Sequence, residues 1–333
     1  MRSSQAQVRV NAANTGPTFT NPVLSTDFAD PMILRASDGW YYAYATQTVT
    51  PKHTENIQAA RSKDLVHWET LPDVMPVKPQ WASQTQNFWA PHVVEAGGRF
   101  IMHFSAERNE RTGLSLGVAT SRSPAGPFVS TNAPLTTGPG FREIDSFPFD
   151  DPNSSKHYLY WGSGFGPIRV QELSANGLQF APGSKPTEVI QPSKAPYENL
   201  VEGAWVVYRQ GYYYLFYSGD NCCKDEPHYA VLTARSKSPT GPFVKLADAT
   251  GKSSSAILAG GTRWLGPGHN AVVTDAKGQD WIVYHAIDAQ DRFNPGTKDV
   301  RRPMLIDRLN YQGGWPVIEG GVPSDRAQAL PAL

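Results

Sequence analysis

Three carboxylic acids in this sequence could form the centre of a hydrolytic site. Asp30, Asp145 and Glu202 each lead a short apolar segment that is followed by a turn and an aromatic-rich segment. A carboxylic acid that keeps its proton can donate it to a leaving oxygen, while an ionised one can activate water. Enzymes that hydrolyse glycosides usually use two such groups, which flank the glycosidic bond that is cleaved. A third carboxylate nearby would raise the pKa of the acid by like-charge repulsion.

The sequence repeats one unit five times. The three acids are the leading residues of three of these units, and two other residues lead the remaining two. Each unit contains an apolar segment, a glycine-containing or polar turn, and an aromatic segment. The leading residues are 59, 56, 57 and 67 positions apart. Two nearly identical segments, SRSPAGPF at 121–128 and SKSPTGPF at 236–243, give a second internal repeat. The five leading residues are Asp30, Trp89, Asp145, Glu202 and His269.

Repeats of this kind predict an all-β fold, a five-bladed β-propeller forming a single domain. Each unit supplies about four short strands, which is what one propeller blade requires. A β-sandwich is the rival fold, but it gives no reason for near-identical segments at blade spacing. We expect residues 17–333 to form the catalytic propeller and residues 1–16 to be a flexible segment. The innermost strand of every blade lines the central channel, so the five leading residues should meet at one mouth.

Composition excludes several classes of partner. The 333 residues include 30 basic and 30 acidic side chains, so no net positive charge favours nucleic acid or an anionic membrane. No apolar run approaches the ~18 residues of a membrane span. We therefore expect neither nucleic acid nor a membrane as partner. The oligomeric state is not predicted.

The two cysteines, Cys222 and Cys223, are adjacent. They are too few for a disulfide framework or a tetrahedral zinc site. Either they form a vicinal disulfide, or they are two thiols packed or exposed in a loop, and we expect the thiols. The loop at residues 219–228 that contains them could form a wall at the channel mouth.

Six segments of this sequence together resemble the successive motifs of glycoside hydrolase family 43. The resemblance covers about residues 20–320, and it implies a five-bladed propeller that hydrolyses glycosides with inversion at the anomeric carbon. The segments are NPVLSTDFADP (21–31), FWAPHVVEAGGRF (88–100), IDSFPFDD (144–151), LVEGAW (200–205), GPGHNAVV (266–273) and RPMLIDRLNYQGGWP (302–316).

The resemblance implies a role for each acid. Asp30 matches the general base, Glu202 the general acid, and Asp145 the carboxylate that tunes and orients the acid. His92 is a departure, because many members have aspartate after the Trp-Ala-Pro motif, and it puts the hydrogen-bond network on the substrate side in doubt.

Other residues are implied to bind substrate or metal. Arg302 matches an arginine that contacts the sugar, although the adjacent Arg301 makes the register uncertain. His269 resembles the histidine associated with a hydrated calcium ion on the propeller axis in arabinan-cleaving members, with His285 a weaker candidate. One histidine is a poor ligand set for calcium, so the ion is not required; no organic cofactor is expected. Aromatic faces for the sugar are expected from Trp89, Phe28 and Trp205.

The expected substrate is a plant cell-wall polysaccharide. Segments 266–269, 284–285 and 304–309 look more like arabinan-active members, so we expect cleavage of α-L-arabinofuranosyl linkages in α-1,5-arabinan or arabino-oligosaccharides, in exo mode. The alternatives are a β-xylosidase or an arabinoxylan-active arabinofuranosidase and, in another class, a non-catalytic carbohydrate-binding propeller. Polymer-degrading enzymes are usually exported, so we expect an extracellular or periplasmic protein whose signal peptide is not in this sequence; a cytoplasmic one is the alternative.

Overall fold

The five repeated units fold into five antiparallel β-sheets, in a computed structural model that describes residues 16–50 and 53–333. The sheets are the blades of a propeller, so the predicted all-β, five-bladed fold is confirmed. Apart from residue 16, the segment expected to be flexible lies outside the described residues. In the described part of the chain, no helix is long and apolar enough to cross a membrane.

The strands follow the order of the repeats. Strand β1 (Thr18–Phe19) precedes blade one, which comprises β2 (Met32–Arg35), β3 (Tyr41–Ala45), β6 (Gln58–Ser62) and β7 (Trp68–Leu71). Between β3 and β6, β4 (Thr48–Thr50) and β5 (His53–Glu55) form a separate two-stranded sheet. Blade two comprises β8 (Phe88–Ala96), β9 (Arg99–Glu107), β10 (Leu114–Ser121), β11 (Val129–Ser130) and β12 (Thr136–Thr137). Blade three comprises β13 (Phe147–Asp150), β14 (His157–Trp161), β15 (Ile168–Leu173) and β16 (Thr187–Ile190).

The last two blades complete the ring. Blade four comprises β17 (Val201–Arg209), β18 (Tyr212–Asn221), β19 (His228–Ser236), β20 (Val244–Lys245) and β21 (Ala256–Leu258). Blade five and the final strand comprise β22 (Trp264–Thr274), β23 (Asp280–Asp288), β24 (Met304–Gln312), β25 (Trp315–Val317) and β26 (Gln328–Ala329). Among the described residues, the helical turns are few and short: α1 (Leu246–Thr250) and the 3₁₀ turns Gln80–Ala82 and Glu319–Gly321.

The N-terminal end of the described chain closes the ring against blade five. Strand β1 pairs with β26, and the side chain of Asn21 bonds both backbone groups of Ile306, at 3.1 Å to its oxygen and 3.0 Å to its nitrogen. Leu24 also bridges Met304, so the segment from Asn21 to Leu24 gives β24 of the last blade hydrogen-bond partners that a free sheet edge would lack.

Tyrosines of the aromatic strands attach successive blades. The strands that contain them are buried, since each blade is covered on both faces by its neighbours. The Tyr44 hydroxyl donates to the carbonyl of Pro124 across 2.7 Å, and Tyr160 donates in the same way to Pro239. These two prolines occupy the same position in the repeated segments 121–128 and 236–243. The near identity of those segments therefore reflects a shared docking contact between blades.

Candidate active site

In every blade, one residue on the innermost strand or just before it has a left-handed backbone conformation, with a positive φ angle. The φ angles there are between +43° and +62°. Three of these residues are predicted leading residues, but Trp89 and Glu202 lie one position earlier, so the expected exact equivalence is wrong for them. Register shifts follow both residues, consistent with β-bulges that re-aim side chains. The five left-handed residues are Asp30, Ala90, Asp145, Gly203 and His269.

Inter-blade hydrogen bonds fix these five positions. In each case the backbone N–H donates to a side chain of the preceding blade. Because backbone and side chain come from different blades, the ring of bonds sets how the acids face each other. The bonds run from Asp30 to His285 Nδ1 (3.1 Å), Ala90 to Thr46 Oγ1 (2.9 Å), Asp145 to Ser105 Oγ (3.1 Å), Gly203 to Asp145 Oδ2 (3.1 Å) and His269 to Ser218 Oγ (2.8 Å).

Asp30 has the environment of an ionised carboxylate. Arg302 Nη1 donates to its Oδ1 across 3.1 Å, and His269 Nδ1 is 3.5 Å from the same oxygen. Burial alone would raise the pKa of Asp30, but the charge of Arg302, followed by that of His269, outweighs it and holds this pKa well below its ordinary value. An ionised carboxylate can accept a proton from water, which is what a general base must do.

Glu202 has the opposite environment. Its side chain is buried and accepts hydrogen bonds from the hydroxyls of Tyr229, 2.8 Å from Oε1, and Ser163, 3.0 Å from Oε2. Burial raises its pKa to about 7, and the negative charge of Asp30 acts in the same direction. Glu202 therefore keeps its proton in mildly acidic solution and can act as a general acid.

Asp145 lies beside Glu202 and His269. Its Oδ2 accepts the N–H of Gly203, the residue after Glu202, and lies 3.9 Å from His269 Nδ1. Burial raises the pKa of Asp145 well above its ordinary value, and the charges of Glu202 and Asp30 add to this. The bond to the backbone beside Glu202 suits the orienting role that the resemblance implies.

Arg302 and Trp89 lie at the cleft, as predicted. Arg302 faces Asp30, whereas Arg301 pairs with Asp291, so of the two arginines it is Arg302 that lies beside the acids; its contact with a sugar stays a prediction. The acids line a cavity of about 900 Å³ that adjoins a second one of about 950 Å³, and Trp89 and Arg302 border both. Together the cavities form a cleft across the channel mouth.

Phe28 and Trp205 lie elsewhere, and this corrects their expected place beside the sugar. Phe28 is 2% exposed and belongs to the hydrophobic core. Trp205 packs against His92 and Phe147, with ring centroids 5.0 and 4.8 Å apart, in a cavity at the far ends of the innermost strands. The left-handed Gly203 and the bulge after Glu202 place Trp205 away from the acids.

A disulfide borders the cleft, where we expected two thiols. Cys222 and Cys223 are joined, so the expectation of two thiols is wrong, while the loop does form part of the cavity wall. Phe141 and Phe165 also line the acid cavity, with their rings 5.9 Å apart.

Several contacts of the acids were not predicted. Thr46 donates to Asp30 Oδ2, and Ser163, Tyr229 and His285 complete the surroundings of the base and the acid. A signal for the hydroxyls exists: the aromatic segments of the first four units end in threonine or serine. Tyr229 has no such signal, because its place depends on the pairing of β18 with β19.

The described residues do not form a calcium site of their own. They include no group of three or more His, Cys, Asp or Glu side chains arranged to hold a metal ion. His269 faces Asp30 and Asp145 through Nδ1, and a single imidazole suits calcium poorly, since this cation prefers six to eight oxygens. A hydrated ion beside His269 stays a prediction that this donor set does not favour.

The comparisons with known proteins agree on one family of glycosyl hydrolases. The model of glycosyl hydrolases family 43 matches residues 19–316. An extracellular exo-α-(1→5)-L-arabinofuranosidase of Cellvibrio japonicus is 25% identical, over 88% of this chain and 86% of the relative. An extracellular endo-α-(1→5)-L-arabinanase of Bacillus subtilis is 27% identical, over 86% of each. The crystal structure of a thermostable family-43 glycoside hydrolase is 29% identical, with a TM-score of 0.77, over 95% of this chain and 100% of that one.

Proposed function

Because this chain belongs to glycosyl hydrolases family 43 and is a glycoside hydrolase, we propose that it cleaves α-L-arabinofuranosyl linkages in α-1,5-arabinan or arabino-oligosaccharides. The proposed reaction proceeds with inversion and releases product from the chain end. One observation carries the mechanism: two carboxyl groups that line a single cavity have opposite surroundings, Asp30 beside the guanidinium of Arg302 at 3.1 Å and Glu202 buried against two neutral hydroxyls. Their pKa values are displaced accordingly, that of Asp30 downward and that of Glu202 upward.

In the proposed reaction Asp30 accepts a proton from a water molecule as the water oxygen attacks the anomeric carbon. The glycosidic bond breaks, and Glu202 transfers its proton to the departing oxygen. Asp145 holds the backbone beside Glu202 in place through Gly203. Exchange with solvent then returns the proton of Asp30 to water and restores that of Glu202.

Arabinan is supported as substrate by the relatives. The Cellvibrio and Bacillus proteins carry names that specify α-(1→5)-L-arabinan linkages, although one name is exo and the other endo. The exo mode is supported by the name of the Cellvibrio relative, an exo-α-(1→5)-L-arabinofuranosidase.

We also propose an extracellular or periplasmic location. The two relatives are named extracellular. A disulfide between Cys222 and Cys223 persists in oxidising compartments and is rare in the cytosol. Recovery of the oxidised protein from a culture supernatant would support this, and recovery only from the cytosol with free thiols would contradict it.

One experiment tests the proposed function directly. The protein is incubated with debranched arabinan, arabino-oligosaccharides and the aryl glycosides of α-L-arabinofuranose and β-D-xylose. We expect a single small product from arabinan and early release of the inverted anomer by proton NMR. A ladder of oligomers would contradict the exo mode, and hydrolysis of the xyloside alone would favour the β-xylosidase alternative.

A further inference from the structure

We propose that the Cys222–Cys223 disulfide is a specificity-determining wall of the cleft that contacts the glycan, and that its reduction weakens substrate binding. The inference rests on the proposed function only in that a glycan occupies the cleft. It adds to that function a contact of defined chemistry and a sensitivity to thiol state.

The place of the disulfide is the first argument. Both cysteines line the cavity that holds Asp30, Asp145 and Glu202, and Cys223 also lines the adjoining cavity. A glycan that spans the two cavities must therefore pass this residue. Cys223 is exposed and Cys222 is half-buried, so both the glycan and a dissolved reductant can reach the sulfur atoms.

The chemistry of the wall is the second argument. A disulfide is apolar and polarisable, and its two residues form a small closed ring that cannot rotate out of the cleft as a free side chain can. Such a surface suits the C–H face of a sugar, as an aromatic ring does elsewhere. Phe141 and Phe165 supply another apolar surface of the same cavity.

A contact with the catalytic groups is the third argument. Arg302 Nη1 lies 3.5 Å from Cys223 Sγ and 3.1 Å from Asp30 Oδ1. The disulfide therefore adjoins the guanidinium that keeps Asp30 ionised. Conversion to two thiols frees the sulfur atoms to move apart and removes one contact of this arginine.

A purely stabilising role is a poor explanation for this bond. Cross-linking stabilises a fold more as the closed loop lengthens, so a bond between neighbouring residues contributes least. The loop is also held without it: Asp220 pairs with His228 across 2.9 Å, and Arg292 donates to the carbonyl of Asp225 across 2.7 Å. The disulfide therefore contributes little to the stability of the fold, and its effect is on the wall of the cleft.

The test compares oxidised enzyme with enzyme treated with a water-soluble phosphine. The phosphine breaks the S–S bond, which takes up two electrons and two protons to give two thiols, and becomes its oxide with an oxygen from water. Mass spectrometry after thiol alkylation confirms the state. We expect KM for an oligosaccharide to rise about five- to tenfold, as expected for a few tens of Å² of lost apolar contact. An aryl glycoside should show a smaller rise, because it lacks the sugar units that extend past Cys223 into the adjoining cavity.

The double variant Cys222→Ala/Cys223→Ala is the matched control. It should have the raised KM of the reduced enzyme and should not respond to phosphine. The inference is overturned if reduction leaves both KM values unchanged, or if phosphine affects the double variant equally. It is also overturned if reduction lowers Tm by more than about 5 °C while kcat falls and KM is unchanged, because the bond would then be structural.

Failure of the arabinan proposal remains distinguishable from failure of this inference. The kinetic comparison uses whichever glycoside the oxidised enzyme hydrolyses fastest in a panel of arabinosides, xylosides and galactofuranosides. If arabinosides are not hydrolysed, the proposed substrate is wrong, and the test of the disulfide continues on the active substrate and its oligosaccharide.

Discussion

The hydroxyl of Tyr229 donates a hydrogen bond to Oε1 of Glu202 across 2.8 Å. Burial raises the pKa of Tyr229 well above its ordinary value, so this hydroxyl remains a donor at every working pH. A donor stabilises the ionised form of Glu202 and lowers its pKa, whereas burial raises it. The pKa of about 7 is therefore the balance of a desolvated site and two hydroxyl donors.

Replacement of Tyr229 by phenylalanine tests this balance. The loss of the donor destabilises ionised Glu202, so its pKa should rise and the basic limb of the kcat/KM profile should move to higher pH. Tyr217→Phe is the matched control, because the Tyr217 hydroxyl donates to Glu198 and not to the acids. A basic limb that stays in place in Tyr229→Phe would contradict the assignment of Glu202 as the acid.

The two catalytic roles predict the wild-type pH profile. Glu202 must be protonated, so activity should fall as pH rises through about 7. Asp30 must be ionised, and its pKa is lowered well below the ordinary value, so the acidic limb should lie below about pH 4.

Glu202→Gln and Asp30→Asn should each lower kcat at least about 10²- to 10⁴-fold, and Asp30→Asn should lose the acidic limb. A variant that keeps half the wild-type rate would show that its residue is not the acid or base.

Sequence predicted the three acids but not their surroundings. The repeat of an apolar segment and an aromatic segment is a local pattern, and it correctly predicts equivalent places for Asp30 and Asp145, although not the left-handed conformation that they share. The offset of Glu202 and the direction of Trp205 depend on a bulge, which no periodicity reports. Tyr229 reaches Glu202 only through strand pairing within the blade, a relationship that the order of residues does not reveal.

Gly203 should be required for activity more than for stability. Its φ is +62°, and a Cβ there would lie 3.3 Å from His269 Nδ1, so alanine must displace the imidazole. We expect Gly203→Ala to lower kcat about 10- to 100-fold, since a small misplacement of catalytic groups is enough for such a loss. Gly97→Ala is matched: its φ is +58° with no atom within 4 Å, so it should lower stability by about 1 kcal/mol and leave kcat unchanged. Equal kcat values for the two variants would contradict this role.

Phe165 should contribute to binding and not to the chemical step. Phe165 is 60% exposed, has a φ of +61°, and lines the acid cavity beside Phe141. Phe165→Ala should raise KM for an oligosaccharide several-fold with kcat nearly unchanged, because apolar contact with the sugar is lost in ground and transition states alike. Val129→Ala, at another exposed apolar residue, should leave both constants unchanged. A lower kcat with constant KM in Phe165→Ala would assign this ring to the chemistry instead.

Ser105 and Ser115 test whether the inter-blade ring positions the acids. Both serines are fully buried in blade two, but only the Ser105 hydroxyl receives the N–H of Asp145, at 3.1 Å; that of Ser115 has no hydrogen-bond partner among the described residues. Ser105→Ala should leave a buried N–H unpaired, lower the free energy of unfolding by about 1–3 kcal/mol and lower kcat, because the backbone of Asp145 is released. Ser115→Ala should have little effect on either quantity. Urea unfolding and steady-state kinetics on both variants separate the outcomes: equal losses of stability, or an unchanged kcat in Ser105→Ala, would show that the hydroxyls only fill space between the blades.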